Sequence, residues 1–383
     1  MTFRVQVLTT SRADFGIYAS VLAAFEAHPD LHPELIVTGM HMSERHGVSL
    51  AAVKASPYQI AAQFPCLEDG DAPVDIAQSM ARATSGMAAA LDYKQPDILV
   101  TLGDRFEMLA AALAAVPFSV PLAHIHGGEE TEGAIDNVFR HMLTKMSHLH
   151  FPATEISAHR IRLMGEDPDN IIISGAPALD SIIAIPPVSA EDILARFGLD
   201  IRKPFHLVTY HTVTLEPELS LSELRNMLAV LGNLDAQIVF SGTNADTGGL
   251  DVAKEIETFA TSRENVLLVE SFGAPAYYTV MRHAETMIGN SSSGIIEAAS
   301  AGLPVVNIGA RQDGRERSTN VVDTAGTLEG IEAALIKAMS LRNESFVNIY
   351  GQGDSGLRIA AGVADFLKSK PSPRKRFQKT LTP

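Results

Sequence analysis

Residues 286–309 read TMIGNSSSGIIEAASAGLPVVNIG. A short apolar run leads into a Gly/Ser turn, an alanine-rich stretch and a second apolar run closed by glycine. That is the strand–turn–helix–strand unit of a parallel sheet. Small residues at the turn let backbone N–H groups approach an anion, and a helix N-terminus adds a favourable dipole. Ser291 and Ser292 are placed to hold a diphosphate. Glu297, six residues on and about one and a half turns into the expected helix, can take the two hydroxyls of a ribose. A capped helix behind a tight turn is the plainer reading of the same residues, since the stretch is neither a Walker loop nor a GxGxxG fingerprint.

The same alternation extends in both directions. Short apolar or β-branched runs at 3–10, 34–39, 97–103, 120–127 and 170–177 are separated by helical stretches such as IAQSMARATSGMAAALDYKQ and FEMLAAALAAV. A proline-bearing connection, 185–204, interrupts the pattern. It restarts with runs at 205–211, 236–242, 265–270, 286–291 and 304–309. The expected fold class is therefore α/β: two Rossmann-like, doubly wound domains facing a cleft. The boundaries read as 1–184 for an N-terminal domain carrying acid/base residues, 185–355 for a C-terminal nucleotide-binding domain, and 356–383 for a helix that packs back and a basic tail.

Composition narrows the function. The 383 residues are 46% hydrophobic and 20% charged, enough apolar material for two cores. A formal charge of −15 argues against nucleic-acid or anionic-membrane partners, which need clustered Lys and Arg. The basic run KSKPSPRKRF, 368–377, reads as a solvated tail. A single cysteine, Cys66, excludes a disulfide framework and fits a reducing cytoplasm. No signal peptide and no uninterrupted apolar stretch of membrane-spanning length is read, so a soluble, cytoplasmic protein is expected.

Ionisable residues concentrate at the strand ends. TTSRADFG (9–16) puts Arg12 and Asp14 just past the first run, where an arginine meets either a phosphate or the neighbouring aspartate. LGDRFEM (102–108) carries Asp104. HIHGGEE (124–130) places Glu129 after a Gly-Gly turn. Asp136 and Arg140 lie one helical turn apart and can share a face. His211 follows the 205–211 run, and Arg311 follows 304–309. Three carboxylates crowded on one wall separate in pKa, as acid/base chemistry requires. A metal site is not expected: His124 and His126 alternate along a strand, and no HExxH occurs.

These segments resemble a known family. SRADFG, VTGMHMS, LGDRFEM, HIHGGEETEG, RHMLTKMSHLHF, NADTG, IGNSSSGIIEA and NIGARQDGR occur in this order from about residue 9 to 320. Together they are similar to the hydrolysing UDP-N-acetylglucosamine 2-epimerases, which share the two-domain fold of the B-type glycosyltransferases. The resemblance implies UDP held by Ser291, Ser292 and Glu297, with Arg12 and Arg311 near its phosphates and with Asn244 and Asp246 lining the cleft. It assigns acid/base work to Asp104, Glu129 and Asp136, supported by His211 and Arg140. It implies a UDP-sugar substrate, no cofactor or metal, and a homo-oligomer, dimer or tetramer. Non-hydrolysing relatives carry a lysine where Ile17 stands and a glutamate where Asp136 stands, which favours the hydrolysing branch. A B-type glycosyltransferase shares the nucleotide turn but has no need of three carboxylates.

Overall fold

The computed structural model describes residues 2–43, 49–70, 72–130, 135–184, 186–211, 217–241, 249–372 and 374–376. It divides into two compact units. One takes the chain up to Ser181 together with Tyr350 onward; the other takes Ile182–Ile349.

The first unit is built on a six-stranded sheet of β1 (Phe3–Thr9), β2 (Leu31–Val37), β3 (Gln59–Gln63), β4 (Ile98–Leu102), β5 (Leu122–Ile125) and β6 (Leu149–Phe151). The strand order is β3-β2-β1-β4-β5-β6 and every pairing is parallel. The order reverses between β1 and β4, and it is outside the carboxyl ends of strands at such a point that α/β proteins place their ligands. Strand periodicity sorts the core. Val5 and Val7 of β1 pack on one face with helices Ala19–Ala27 and Ser355–Lys368. Leu8 of β1 and Leu99 of β4 pack on the other with helices Pro73–Tyr93 and Phe106–Ala115.

Helix Ser355–Lys368 lies on Ala19–Ala27 at close range. A Cβ on Gly356 would stand 2.6 Å from the Ser20 carbonyl oxygen. Asp180 fastens the start of that helix by accepting from the N–H groups of Ser355 (3.0 Å) and Gly356 (2.7 Å).

The second unit repeats the design with β7 (Phe205–Thr209), β8 (Gln237–Ser241), β9 (Val266–Val269), β10 (Thr286–Gly289), β11 (Val305–Ile308) and β12 (Val321–Thr324). The order is β12-β11-β10-β7-β8-β9, parallel throughout, with the reversal between β7 and β10. Phe205, Leu207 and Met287 face one helical layer; Val208, Ile288 and Val306 face the other. Gly289, at φ 136°, ends β10, and a Cβ there would sit 2.0 Å from the Thr209 carbonyl oxygen. Among the described residues no helix is long and apolar enough to cross a membrane.

Three strands lie outside the sequence expectation. β3, β6 and β12 are only three to five residues long. The strand expected at 170–177 forms only a single bridge, His150 to Ile171. It runs beside β6, with the Ile172 and Ser174 N–H groups donating to the carbonyls of His150 and Pro152 at 2.9 and 3.0 Å, until Gly175 at φ 78° turns it away.

Candidate active site

In the first unit the ends of β1, β4 and β5 converge on one polar cluster. After β1, Ser11 caps helix Arg12–Ile17 in a capping box with Asp14. The buried Asp14 carboxylate accepts from the N–H groups of Thr10 (2.9 Å) and Ser11 (3.0 Å) and from the hydroxyls of Thr9 and Thr10. Asp14 thus braces the loop from within, and it forms no ion pair with Arg12 among the described residues. Arg12 is exposed and makes no ion pair among the described residues. Ile17 is half-buried against the core.

After β4, Gly103 at φ 72° turns the chain so that Asp104 meets Arg140 in an ion pair. Arg140 is 3% exposed and also donates to the Glu129 carbonyl at 2.9 Å, so one guanidinium joins helix Asp136–Met146 to two strand ends. Asp136 stands in the first turn of that helix. Burial and the neighbouring Asp104 charge raise its pKa, opposed by Arg105 and Arg140. Arg105 is held by Glu107 at 2.7 Å, and Glu107 is fully buried.

The histidines divide into separate roles. His124 is buried in β5 with Nε2 2.8 Å from the Gly103 carbonyl, and burial lowers its pKa to about 3. His150 in β6 faces Glu166 at 3.1 Å, and the His148 Nδ1 accepts from the Leu122 N–H at 3.3 Å. His126 does not continue the strand as expected. It leaves β5 at φ 63°, and its Nδ1 lies 2.5 Å from Glu129 Oε1. Among the described residues no group of three or more His, Cys, Asp or Glu side chains is placed to hold a metal.

In the second unit Asn290, directly after β10, ties three strand ends together. Its side-chain amide pairs with the N–H and carbonyl of His211, both at 2.8 Å, and its backbone carbonyl accepts from Arg311 (3.1 Å) and Gln312 (2.9 Å). Burial and the Arg311 charge push the His211 pKa down to about 4, so its imidazole is neutral near pH 7. Burial pushes the Glu297 carboxyl up to about 7, against a hydrogen bond from Ser293. Burial and the neighbouring Glu297 charge raise the pKa of the Tyr277 phenol.

The helix after the turn is shorter than expected. It spans Ser292–Ile296, with Ser291 as N-cap accepting from the Ser293 N–H at 3.3 Å. Glu297 is its C-cap and opens a one-turn 3-10 helix, Ala298–Ala301, stopped by Gly302 at φ 68°. Serine and glycine compete poorly for helix, and Pro304 follows at once. Five residues carry little dipole; the positive charge beside this turn is that of Arg311, which donates to the Asn290 carbonyl. Asn244 and Asp246 lie outside the described residues. Asn290, Tyr277 and the Arg105–Glu107 pair escaped sequence reasoning: an asparagine inside a Gly/Ser turn and a tyrosine in an apolar helix give no signal by type alone.

Comparisons with known proteins bear on this geometry. A model of the family described as UDP-N-acetylglucosamine 2-epimerase matches residues 23–364. A Legionella pneumophila protein named UDP-N,N'-diacetylbacillosamine 2-epimerase (hydrolyzing) is 35% identical, over 94% of each chain. A Campylobacter jejuni protein named GDP/UDP-N,N'-diacetylbacillosamine 2-epimerase (hydrolyzing) is 32% identical, over 84% of each. The solved structure of UDP-GlcNAc 2-epimerase from Neisseria meningitidis bound to UDP-GlcNAc shares the fold, with a TM-score of 0.78 at 19% identity, covering 95% of this chain and all of that one.

Proposed function

Because the chain belongs to the UDP-N-acetylglucosamine 2-epimerase family, we propose that it is a hydrolysing 2-epimerase. In this reading it converts a UDP-2-acetamido-gluco sugar to the free manno sugar plus UDP. The observation that carries the reading is the cluster at the strand ends of the first unit, where Asp104, Glu129 and Asp136 gather around Arg140. The C2 proton of a sugar nucleotide is not acidic enough for simple epimerisation. Its loss together with the C1 diphosphate gives a glycal, and water then adds to C1 while a proton is delivered to C2 from the opposite face. A general base takes the C2 proton, and Asp136, whose pKa is raised, serves as acid. Charge growing on the departing diphosphate is stabilised by Arg311 and Arg12, with Ser291, Ser292 and Glu297 holding UDP.

No metal or nicotinamide enters this chemistry. The two relatives named for diacetylbacillosamine favour UDP-2,4-diacetamido-2,4,6-trideoxyglucose over UDP-N-acetylglucosamine as substrate, which puts the product on a route to nonulosonic acids of the sialic or legionaminic type. The half-buried Ile17, in place of a lysine, favours release of UDP over its return to the sugar. The single cysteine is buried and free, in keeping with a cytoplasmic enzyme; a homo-oligomer is part of the same reading.

The test is proton NMR in deuterated water with each UDP-sugar in turn. Free UDP and a manno sugar deuterated at C2 are expected, faster with the diacetamido substrate. A UDP-linked manno epimer points instead to the non-hydrolysing reaction. Intact donors would refute the epimerase reading and favour a glycosyltransferase.

A further inference from the structure

Glu129 does not stand alone at the end of β5. Its Oε1 lies 2.5 Å from Nδ1 of His126, and both side chains are largely shielded, 7% and 12% exposed. The imidazole's other nitrogen, Nε2, makes no hydrogen bond among the described residues, and it is not among their buried unsatisfied atoms. A carboxylate on Nδ1 with Nε2 left open is the arrangement that fixes a tautomer and presents the far nitrogen as a base.

The backbone supports this assignment. His126 is held at φ 63°, in the left-handed region that residues other than glycine enter at a cost and keep only where neighbours enforce it. Here they do. The His126 N–H donates to the Phe151 carbonyl at 3.1 Å. A Cβ on Gly127 would stand 2.9 Å from His124 Nδ1, and one on Gly128 would stand 2.4 Å from the Ser157 carbonyl. Arg160 also donates to the Gly128 carbonyl. The turn is locked from three sides, and the locked turn directs the imidazole onto Glu129.

Resting on the functional reading above, we propose that His126 is the group that takes the C2 proton and that Glu129 is its positioning residue. In the elimination, Nε2 accepts the proton from C2. The C2–H electrons become the C1=C2 bond, and the C1–O bond breaks with its electrons on the diphosphate oxygen. The products are a glycal, UDP and a protonated His126 stabilised by the Glu129 charge. The proton returns to solvent before water adds, and an acid on the opposite face protonates C2.

Two substitutions test this. His126→Asn keeps a donor near the Nδ1 position and suits a positive φ, but removes Nε2. His126→Gly fits the backbone and leaves room for added imidazole. Both variants are expected to bind UDP and melt as the wild type does, with turnover down about 10²- to 10⁴-fold, the usual share of a general base. Imidazole should restore part of the His126→Gly rate. Glu129→Gln should lower kcat with KM little changed. A His126→Asn enzyme within threefold of wild-type turnover would overturn the proposal while leaving the epimerase reading intact. Loss of UDP binding in both variants would also overturn it, by assigning His126 to the fold. A wild-type protein that releases no UDP from any donor removes both readings together.

Discussion

Glu297 and His211 share one half-site, and burial drives both toward their neutral forms: the carboxyl up to about 7, the imidazole down to about 4. A raised carboxyl pKa means that the folded state holds the proton more tightly than the unfolded chain, near 4.5 for a model glutamate. Its contribution to stability is therefore present at low pH and lost as pH rises through about 7. Glu297→Gln fixes the neutral form. The variant is expected to melt above the wild type at pH 8 and close to it at pH 5.5, with UDP affinity lowered about tenfold, an estimate from one lost charge-assisted hydrogen bond. Differential scanning calorimetry at the two pH values and titration calorimetry with UDP check this; equal melting at pH 8 would contradict it. Asp104 and Asp136 could be picked out from the sequence because they sit in strand-end and first-turn positions that need a charge partner, and Arg140 because it lies one helical turn from Asp136. The true use of Asp14 could not, because a capping box and a ligand site both ask for an acid at that position.

The loop between β1 and helix Arg12–Ile17 separates two jobs between neighbours. Asp14 braces the loop from within, while Arg12 points outward at the first helical position. Asp14→Ala should cost about 2 kcal/mol, the upper end for a lost N-terminal cap, because donors from Thr9, Thr10 and Ser11 are orphaned with it. Arg12→Ala should leave the melting temperature within a degree or two while weakening UDP binding about tenfold, the worth of one exposed charge–phosphate contact. Urea denaturation and UDP titration of both variants would show the dissociation, and the reverse pattern would refute it. Strands buried on both faces, such as ILVTL of β4, stood out as largely apolar runs. β6 did not: LHF has three residues and its centre is a histidine, readable as strand only once Glu166 is seen to partner its Nε2. The 170–177 run has the right composition, but Gly175 and a single bridge end it before a ladder forms. Pairing of that kind depends on distant chain, which local periodicity does not report.

For the molecule entire, pH sensitivity follows from three buried imidazoles. His124, His206 and His211 have pKa values lowered to about 3, 4 and 4 by burial. Between about 6.5, the unfolded value, and 4 the unfolded chain binds protons that the folded chain refuses, so stability falls as pH falls through that window. Glu166, held near 2 by His150, Lys145 and Lys375 against the cost of its burial, adds stability above about 4.5 that is lost on further acidification. Glu297 and Asp136, whose carboxyl pKa values are raised, oppose the histidines. The melting temperature is expected to drop steadily from pH 7.5 to pH 4.5, and a maximum near pH 5 would be inconsistent with these assignments. A chain ending at Ile349 makes a second test. It lacks Ile359, Val363, Phe366 and Leu367, which pack in the first unit's core, and each such side chain contributes roughly 1.5–3 kcal/mol. Four of them rival the about 5–15 kcal/mol stability of a typical domain. Limited proteolysis should cut residues 1–181 rapidly and spare 182–349; protection of both would mean the terminal helix is dispensable. Because the last helix completes the first sheet's cover, the order of completion during synthesis runs against the order of translation. The middle of the chain is whole as soon as it clears the ribosome. The amino-terminal sheet must wait with one apolar face covered only in part, by helix Ala19–Ala27, until helix Ser355–Lys368 is made, and for that interval it is the part of the nascent protein with most need of a chaperone.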